Sequence, residues 1–434
     1  MNRLLRLLIS FSPCLLVPLS PCQVHSQEYY EQNFVRNDNA TYRANIQTVL
    51  LYKAGFELSP PIIQLNTDER LVLSFDDLDA DRKNYRYTLQ QCDAFWKPSQ
   101  LQPMEYIQGF QEEDLEDYQI SYNTTTRYMN YVLVFPTDYM KITKSGNYIL
   151  KVFIGSPEDK NVVLTRRFMV WEPLVNVDIR INKAMDLYNR WTHQQVDLRI
   201  IAPDYNITDS YRDLHVFIMQ NGRWDNMLQN VQPRSISGNV YDYTMQQDLS
   251  FPGGNEFRYL DMKTLKYNTD RMKSLQYDAN GYQVYVNTDM PRNKGNYYSD
   301  KDIDGKRLIS VNDARNNYTE ADYAWVHFLL TWQTPIADGS LYVAGSFCDW
   351  QYTPINKMTY NFDLHAYEAS ILLKQGYYNY EYVYLQNRSI VGDPTYVEGS
   401  YWETENEYTV LVYHRTSGDQ YDRLIGVGFA NSGK

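Results

Sequence analysis

The sequence predicts an all-β fold, with two to three immunoglobulin-like β-sandwich domains in tandem. The composition favours strands, because 41 of the 434 residues are tyrosine and aromatic side chains pack well on sheets. Few windows show the 3.6-residue apolar period of a helix. Apolar residues instead alternate with polar ones in runs that Gly, Pro, Asn and Asp separate, at the short spacing of a sandwich fold. These runs include 70–75, 128–135, 147–155, 196–201 and 214–219.

Residues 1–26 have the pattern of a secretory signal peptide. Arg3 and Arg6 give it a positive start, and its apolar stretch over 4–19 is too short and too interrupted by prolines to span a membrane. Small residues at its end fit a cleavage site. Acylation of Cys22 is the alternative, although the proline before that cysteine fits it poorly. We therefore predict an exported mature chain.

The mature chain that this cleavage would leave is acidic. Removal of two arginines and no acid takes the net charge from −12 to −14, which argues against nucleic acid and anionic membranes as partners. No later stretch approaches the ~20 apolar residues of a membrane helix, so no membrane span is predicted. Two cysteines remain, Cys92 and Cys348, either as one disulfide or as separate buried thiols, and their spacing fits no metal site.

Two seams divide the predicted mature chain into three parts. Pro173 interrupts a strand series within 170–177, because proline cannot donate to a sheet ladder. A polar stretch begins at residue 312 and leads into a new strand series. The predicted domains are an N-terminal sandwich over 27–172, a middle β domain over 173–318 and a C-terminal sandwich over 319–434.

Three motifs stand out in the C-terminal part: "GSFCDW" (345–350), "GYYNYEYVYL" (376–385) and "GDPT" (392–395). Together they resemble the glycogen-binding, early-set immunoglobulin-like module. That resemblance implies sugar binding by stacking on exposed aromatic side chains, and Trp350 matches the first stacking tryptophan. The likeness in the ligand set is partial, since Glu381 stands where the family often has a lysine and a second tryptophan is missing. Trp350 is therefore the one candidate ligand-binding residue.

No arrangement of residues indicates catalysis. Apart from His25 in the predicted signal peptide, the histidines are scattered, and the sequence has no HExxH, no GxSxG elbow and no Gly-rich phosphate loop. We therefore expect no enzymatic activity, no catalytic residues and no cofactor. Asp300, Asp302 and Asp304 are spaced like the start of a calcium loop, but Val311 stands where the loop needs its bidentate glutamate. A polar turn is the alternative, and no metal site is predicted.

Cys92 is predicted to be structural. A nucleophilic cysteine needs a histidine or another cation to stabilise its thiolate. No histidine of the predicted mature chain lies within about a hundred positions of Cys92. The neighbouring Asp93 would raise the pKa of the thiol. We expect a strand end that leads through Trp96 and Pro98 into a loop.

Motifs spread along the chain carry a second resemblance. They are "CDAFWKPS" (92–99), "EYIQGF" (105–110), "SGNYILKV" (145–152), "FPGGNEFRYLD" (251–261) and "ADYAWVHF" (321–328). In this order they resemble the plug protein family of the type IX secretion system, formerly a domain of unknown function of Bacteroidetes-type bacteria. The likeness extends over nearly all of the predicted mature chain.

This second resemblance implies a role and no reaction. It implies a periplasmic protein, associated with the outer membrane, that binds the translocon barrel of the type IX secretion system and closes its periplasmic mouth. The alternative is a carbohydrate-binding protein that uses the C-terminal module around Trp350, with a glycan as ligand. Aromatic side chains are frequent in protein interfaces, so the alternating tyrosines over 378–384 are either a contact surface or sandwich core.

Overall fold

The computed structural model describes residues 35–433, and the all-β prediction is confirmed for them. The predicted signal peptide, with Cys14 and Cys22, lies outside the described residues. Within the described part of the chain, no helix is long and apolar enough to cross a membrane. The helices are single turns: α1 (Pro103–Tyr106), α2 (Ser210–Asp213), α3 (Asn317–Glu320) and α4 (Thr395–Glu398).

The first sandwich packs two sheets around an aromatic core. Its strands are β1 (Ala40–Thr41), β2 (Ile46–Lys53), β3 (Ile62–Gln64), β4 (Leu71–Asp77), β5 (Tyr85–Cys92), β6 (Ile107–Gly109), β7 (Glu112–Asp114), β8 (Asp117–Ile120), β9 (Met129–Phe135), β10 (Met140–Ile142), β11 (Gly146–Ile154) and β12 (Val162–Trp171). One sheet has the order β1-β12-β11-β5-β7 with β3 beside β12, the other β2-β4-β9-β8, and β10 pairs with β6. Alternation in β5 buries Tyr85, Tyr87 and Leu89. Tyr85 meets the stacked rings of Phe75 and Tyr131 edge-on.

The next strands form the first half of a second sandwich. They are β13 (Asn176–Lys183), β14 (His193–Ile201), β15 (Leu214–Gln220), β16 (Leu228–Val231), β17 (Ser235–Ser237), β18 (Val240–Asp242) and β19 (Ser250–Pro252). Strand β13 pairs with β14, and β18, β17 and β19 complete their sheet. The tip between β13 and β14, residues 184–192, has only turns and bends.

A third sandwich follows before the second is complete. Its strands are β20 (Arg258–Asp261), β21 (Met272–Asp278), β22 (Gly281–Val286), β23 (Arg307–Ile309), β24 (Tyr323–Thr331), β25 (Gly339–Ala344), β26 (Thr359–Asn361), β27 (Ala366–Lys374) and β28 (Gly376–Gln386). Strand β28 pairs with β20, β23 and β25, and the facing sheet has the order β21-β22-β24-β27-β26. The alternating tyrosines of β28 are buried, so the prediction that they form sandwich core is confirmed.

The last two strands, β29 (Glu407–His414) and β30 (Arg423–Asn431), return to the second sandwich. Its second sheet has the order β16-β15-β29-β30, and β15 pairs with β29 from Leu214–His414 to Gln220–Tyr408. Gly428 in β30 permits close packing on β13, because an added Cβ would lie 2.7 Å from Ile179 Cδ1. The second sandwich is therefore built from strands that precede the third sandwich in the sequence and strands that follow it.

This pairing differs from the contiguous middle and C-terminal domains predicted over 173–318 and 319–434. The strands of 319–434 are divided between two sandwiches, and those of 173–318 are divided likewise. The physical reason is that β15 would otherwise be left with an unpaired edge, and β29 supplies the hydrogen bonds that cover it.

Ending the chain at residue 403 tests this arrangement. The second sandwich should fail to fold, because β15 loses its partner strand and the core loses Tyr408, Val410, Val412 and Ile425. Limited proteolysis with mass spectrometry should then find rapid cleavage within 174–252. A matched chain that ends at residue 431 should resist cleavage there. Equal protection of 174–252 in both chains would contradict the shared sandwich.

Candidate functional site at the domain junction

The CDAFWKPS motif lies where the first two sandwiches meet. Cys92 ends β5 and is fully buried in an apolar cluster that we call the junction core. The first sandwich and the second contribute buried side chains to the junction core: Ile62, Cys92, Ala94, Trp96, Ile149 and Met169 from one, Phe217, Met219, Leu411, Tyr413 and Leu424 from the other. The structural role predicted for Cys92 is confirmed.

Both described cysteines are free thiols, so the disulfide alternative is wrong and the alternative of separate thiols is confirmed. Burial, helped by the neighbouring Asp93, raises the pKa of Cys92 to about 12. Burial also raises the pKa of Cys348 to about 11. Neither thiol is activated as a nucleophile, because the thiolate is the reactive form and both environments oppose it.

Asp93 and Trp96 shape the loop that enters the junction core. Asp93 Oδ1 accepts hydrogen bonds from the backbone N–H groups of Phe95 (2.9 Å) and Lys97 (2.8 Å). This turn directs Trp96 against the edge of Trp224 in the second sandwich. The Arg167 guanidinium lies over both indoles, 4.5 Å from Trp96 and 4.7 Å from Trp224. The motif thus builds a contact between domains.

Hydrogen bonds around the junction core fix the same pair of sandwiches. The Ala94 N–H donates to Asp422 Oδ2 at 2.8 Å, and the Tyr413 hydroxyl donates to Asn147 Oδ1 at 2.6 Å. At the edge, Arg423 donates two hydrogen bonds to the Glu172 carboxylate. Burial raises the pKa of Glu172, but the hydrogen bonds from Arg423 outweigh it, so the pKa is lowered overall.

A buried ion pair joins the first sandwich to the third. Lys374 Nζ lies 2.6 Å from Asp76 Oδ2, and each side chain is 1% exposed. The Tyr323 hydroxyl donates to the same carboxylate oxygen at 2.6 Å, and the ammonium lies 4.2 Å from the centre of the Tyr128 ring. Burial lowers the pKa of Lys374, and Asp76 opposes that shift. Replacing either member of such a pair destabilises the protein, because the other charge is left buried without a partner.

Another buried network joins the second sandwich to the third. Arg223 forms two hydrogen bonds with Asp225 and donates to the Gly392 carbonyl at 2.9 Å. Asp225 Oδ2 accepts a hydrogen bond from the Tyr352 hydroxyl at 2.8 Å. Arg223 also lies 3.6 Å from Glu381. Burial raises the pKa of Glu381 to about 8, while Arg223 opposes the shift.

Trp350, the candidate sugar-binding residue, is only 7% exposed. The Arg223 guanidinium lies over its ring at 5.6 Å, and the Phe257 ring packs against it at 5.8 Å. Gly305 packs directly against the Trp350 ring, since an added Cβ would lie 2.6 Å from Trp350 Cζ2. Sugar stacking needs an open aromatic face, so this burial argues against the role that the sequence suggested.

The acidic residues form turns and ion pairs. In the possible calcium loop, Asp302 accepts hydrogen bonds from the N–H groups of Phe257 (2.5 Å) and Asp304 (2.8 Å), as the polar-turn alternative expects. Within residues 35–433, one acidic group is compact enough for a metal ion: Asp77, Asp79 and Asp81. The Lys83 ammonium forms ion pairs with all three of those carboxylates.

Sequence reasoning missed Asp76, Lys374 and Arg223 as junction residues. Asp76 and Lys374 stand on the faces of β4 and β27 that point away from the sandwich cores, since the neighbouring Phe75 and Leu373 are core residues. Alternation predicts exposed side chains at such positions, where charges are common. The sequence therefore carries no signal of this pair, and its two members are 298 positions apart.

This chain is similar to a known protein family over its first domain and to a solved structure over most of its length. Residues 46–172 match the family model described as type 9 secretion system plug protein 1st domain. The crystal structure of a hypothetical protein from Parabacteroides merdae ATCC 43184 is 38% identical to this chain, with a TM-score of 0.88, and the match covers 92% of this chain and 100% of that one. No protein of curated function matches.

A second solved structure is much less similar to this chain. Dimeric latent PorU from Porphyromonas gingivalis is 9% identical, over 90% of this chain and 33% of that one, with a TM-score of 0.17. A TM-score this low does not establish even a shared fold.

Lys374→Met should destabilise the protein by about 3–5 kcal/mol, because it leaves Asp76 buried without its cation. The double variant Asp76→Asn/Lys374→Met should recover part of that loss, since it removes both charges. Urea unfolding measures the change in the free energy of unfolding. Lys266→Met is the matched control, because Lys266 and Asp313 form an exposed pair worth less than about 1 kcal/mol. Equal losses in the two lysine variants would contradict a stabilising role for the buried Asp76–Lys374 ion pair.

Glu381→Gln should flatten the dependence of stability on pH. An unfolded glutamate titrates near 4.5 and the folded Glu381 near 8, so between these values the folded state holds more protons. The free energy of unfolding of the wild type should therefore fall as pH rises from 5 to 8, by up to about 1.4 kcal/mol per pH unit from this group. Glu116→Gln, at an exposed position, is the control and should leave the pH curve unchanged. Parallel curves for wild type and Glu381→Gln would contradict the assignment.

Proposed function

We propose that this chain, which belongs to the same family as the Parabacteroides merdae protein and carries a type 9 secretion system plug protein first domain, is a non-enzymatic periplasmic plug. In this proposal it associates with the outer membrane, binds the translocon barrel of the type IX secretion system and seals the periplasmic mouth of that barrel. The partner is a protein surface, and neither nucleic acid nor a cofactor is required.

One observation carries the proposal: the motif that marks the first domain builds the contact between sandwiches. Asp93 and Trp96 hold the loop against the second sandwich, and Cys92 lies in the junction core. Catalytic residues would instead converge on an accessible cleft. A plug needs a body that does not deform when it closes a wide opening, and buried contacts between each pair of sandwiches supply that rigidity.

The hairpin tip between β13 and β14, residues 184–192, is the surface that we expect to touch the translocon. Leu187 is 79% exposed, Tyr188 94% and Trp191 62%. Exposed aromatic side chains are favoured where proteins bind one another. Trp191 is also held in place, because the Lys183 ammonium lies 4.0 Å from its ring centre and binds a second tryptophan at the same distance. A pre-ordered aromatic tip loses less entropy on binding.

The carbohydrate-binding alternative stays a prediction from the sequence. It depends on Trp350, whose ring is covered by Arg223 and Phe257. Glycan binding there would require those groups to move, so the plug is the better supported function.

The tagged mature protein should capture an outer-membrane barrel of exceptional size from detergent-solubilised outer membrane, as identified by mass spectrometry. Tyr188→Ser/Trp191→Ser should reduce the recovered barrel at least tenfold, because it removes the exposed aromatic tip while leaving the three sandwich cores intact. Tyr267→Ser removes an aromatic side chain of comparable exposure elsewhere and should bind like the wild type.

The plug function and the tip as its contact surface can each be refuted by a separate result. Absence of any barrel in the wild-type eluate would refute the plug function. Full recovery of the barrel with the tip variant would retain the function and refute the tip as the contact surface.

A further inference from the structure

The three sandwiches line a half-open cavity of about 630 Å³ at their common junction. Its walls come from every sandwich: Ile62 and Arg166 from the first, Met219 and Trp224 from the second, and Arg307 and Trp350 from the third. Binding sites for small molecules have volumes in this range and occur often where domains meet. The cavity is distinct from the exposed hairpin tip at 184–192.

Cations outnumber acids along the cavity walls. Arg166, Arg167, Lys306 and Arg307 line it, against the acids Glu57, Asp349 and Glu407. Lys306 is paired with Glu407 at 2.5 Å. The guanidinium groups of Arg166, Arg167 and Arg307 are less well compensated by nearby carboxylates than Lys306 is.

Arg307 and Arg167 are held by neutral groups. Arg307 donates to the backbone carbonyls of Phe347 (3.0 Å) and Val49 (2.7 Å), and Arg167 Nε donates to the Asn37 carbonyl at 2.8 Å. Among residues 35–433, neither guanidinium has a carboxylate oxygen within 4.0 Å. Asp38 attracts Arg167 electrostatically, whereas the carbonyl groups around Arg307 orient that cation without neutralising it, so positive charge remains at the wall.

Arg166 is the most unusual of the cations. It is 4% exposed, and its Nε has no hydrogen-bond acceptor within the described part of the chain. Its nearest carboxylate oxygen, on Asp349, is 3.4 Å from Nη2. Burial lowers the pKa of Arg166, and Asp349 opposes that shift. A buried guanidinium with an unused donor is costly unless an acceptor meets it.

The other walls of the cavity are apolar, and this narrows the class of ligand that fits. Ile62, Met169, Met219, Trp224 and Trp350 give the cavity apolar and aromatic surface. A bare inorganic anion would leave most of this surface without a contact. An anion with an apolar body would satisfy both the guanidinium groups and the apolar walls.

We infer that the junction cavity binds a small organic anion, with a carboxylate or phosphate group directed at Arg166 and Arg307 and an apolar or aromatic body against the tryptophan and methionine side chains. Such a ligand contacts all three sandwiches at once. It therefore stabilises the assembled protein by mass action.

Isothermal titration calorimetry of the mature protein tests this with matched probes. 4-Phenylbutyrate and phenyl phosphate carry the two possible anionic groups, 4-phenylbutyramide is the neutral analogue, and inorganic phosphate lacks the apolar body. At least one of the two organic anions should bind, at least tenfold more tightly than both the amide and inorganic phosphate. Whichever binds more tightly identifies the anionic group.

The variants connect binding to the cavity. Arg307→Met should weaken binding of the organic anion at least tenfold, and Arg307→Lys should restore part of it. Arg199→Met, at an exposed arginine of β14 outside the cavity, should bind like the wild type. Should Arg166→Met fail to fold, the Arg307 pair of variants still decides the question.

Three outcomes would overturn the proposal. They are absence of binding by both organic anions to the folded protein, equal binding of the amide, and unchanged binding by a folded Arg307→Met variant. Barrel capture is measured separately, so this result is independent of the plug function.

Discussion

Charge buried between domains must be paired, and this constraint determines how the three sandwiches are joined. Lys374 and Asp76 belong to different sandwiches and are almost completely buried. Arg223 and Asp225 of the second sandwich are completed only by groups of the third, such as Gly392. A rotation of one sandwich against another would break several such bonds at once. The orientation of the domains is therefore set by polar contacts as much as by apolar burial.

Apolar packing at the junction core supports the same arrangement. A sheet that packs on its own core and also on a neighbouring domain needs apolar side chains on both of its faces. Strand β11 shows this, because Tyr148 and Leu150 enter the core of the first sandwich whereas Ile149 enters the junction core. The alternation that the sequence suggested over 147–155 is therefore interrupted by the consecutive apolar residues at 148–150. The cavity marks a place where these contacts leave space between the three sandwiches.

The fold class could be predicted from the sequence because alternation and turn residues are local signals. The burial of Cys92 was expected for a different reason, because free cysteine behaves as a small apolar residue. The two-residue period placed the tyrosines of β28 on one face and left core or contact surface as the alternatives. Alternation does not identify the neighbouring strand. For this reason the pairing of β15 with β29 was missed, and the boundary at residue 318 with it. Trp350 shows the same limit, because its residue type suits stacking and only the fold reveals what covers its ring.

The divided second sandwich has a consequence for the order in which the protein matures. Leu214 pairs with His414, which is 200 positions later in the chain. Until β29 reaches it, the half-sheet around β15 has an open edge, whereas the strands of the third sandwich follow one another without interruption. The third sandwich can therefore close first, because its contacts span shorter stretches of chain. Closure of the second sandwich is then a late, long-range folding step, and the junction core, which needs Leu411 and Tyr413 of β29, forms with it.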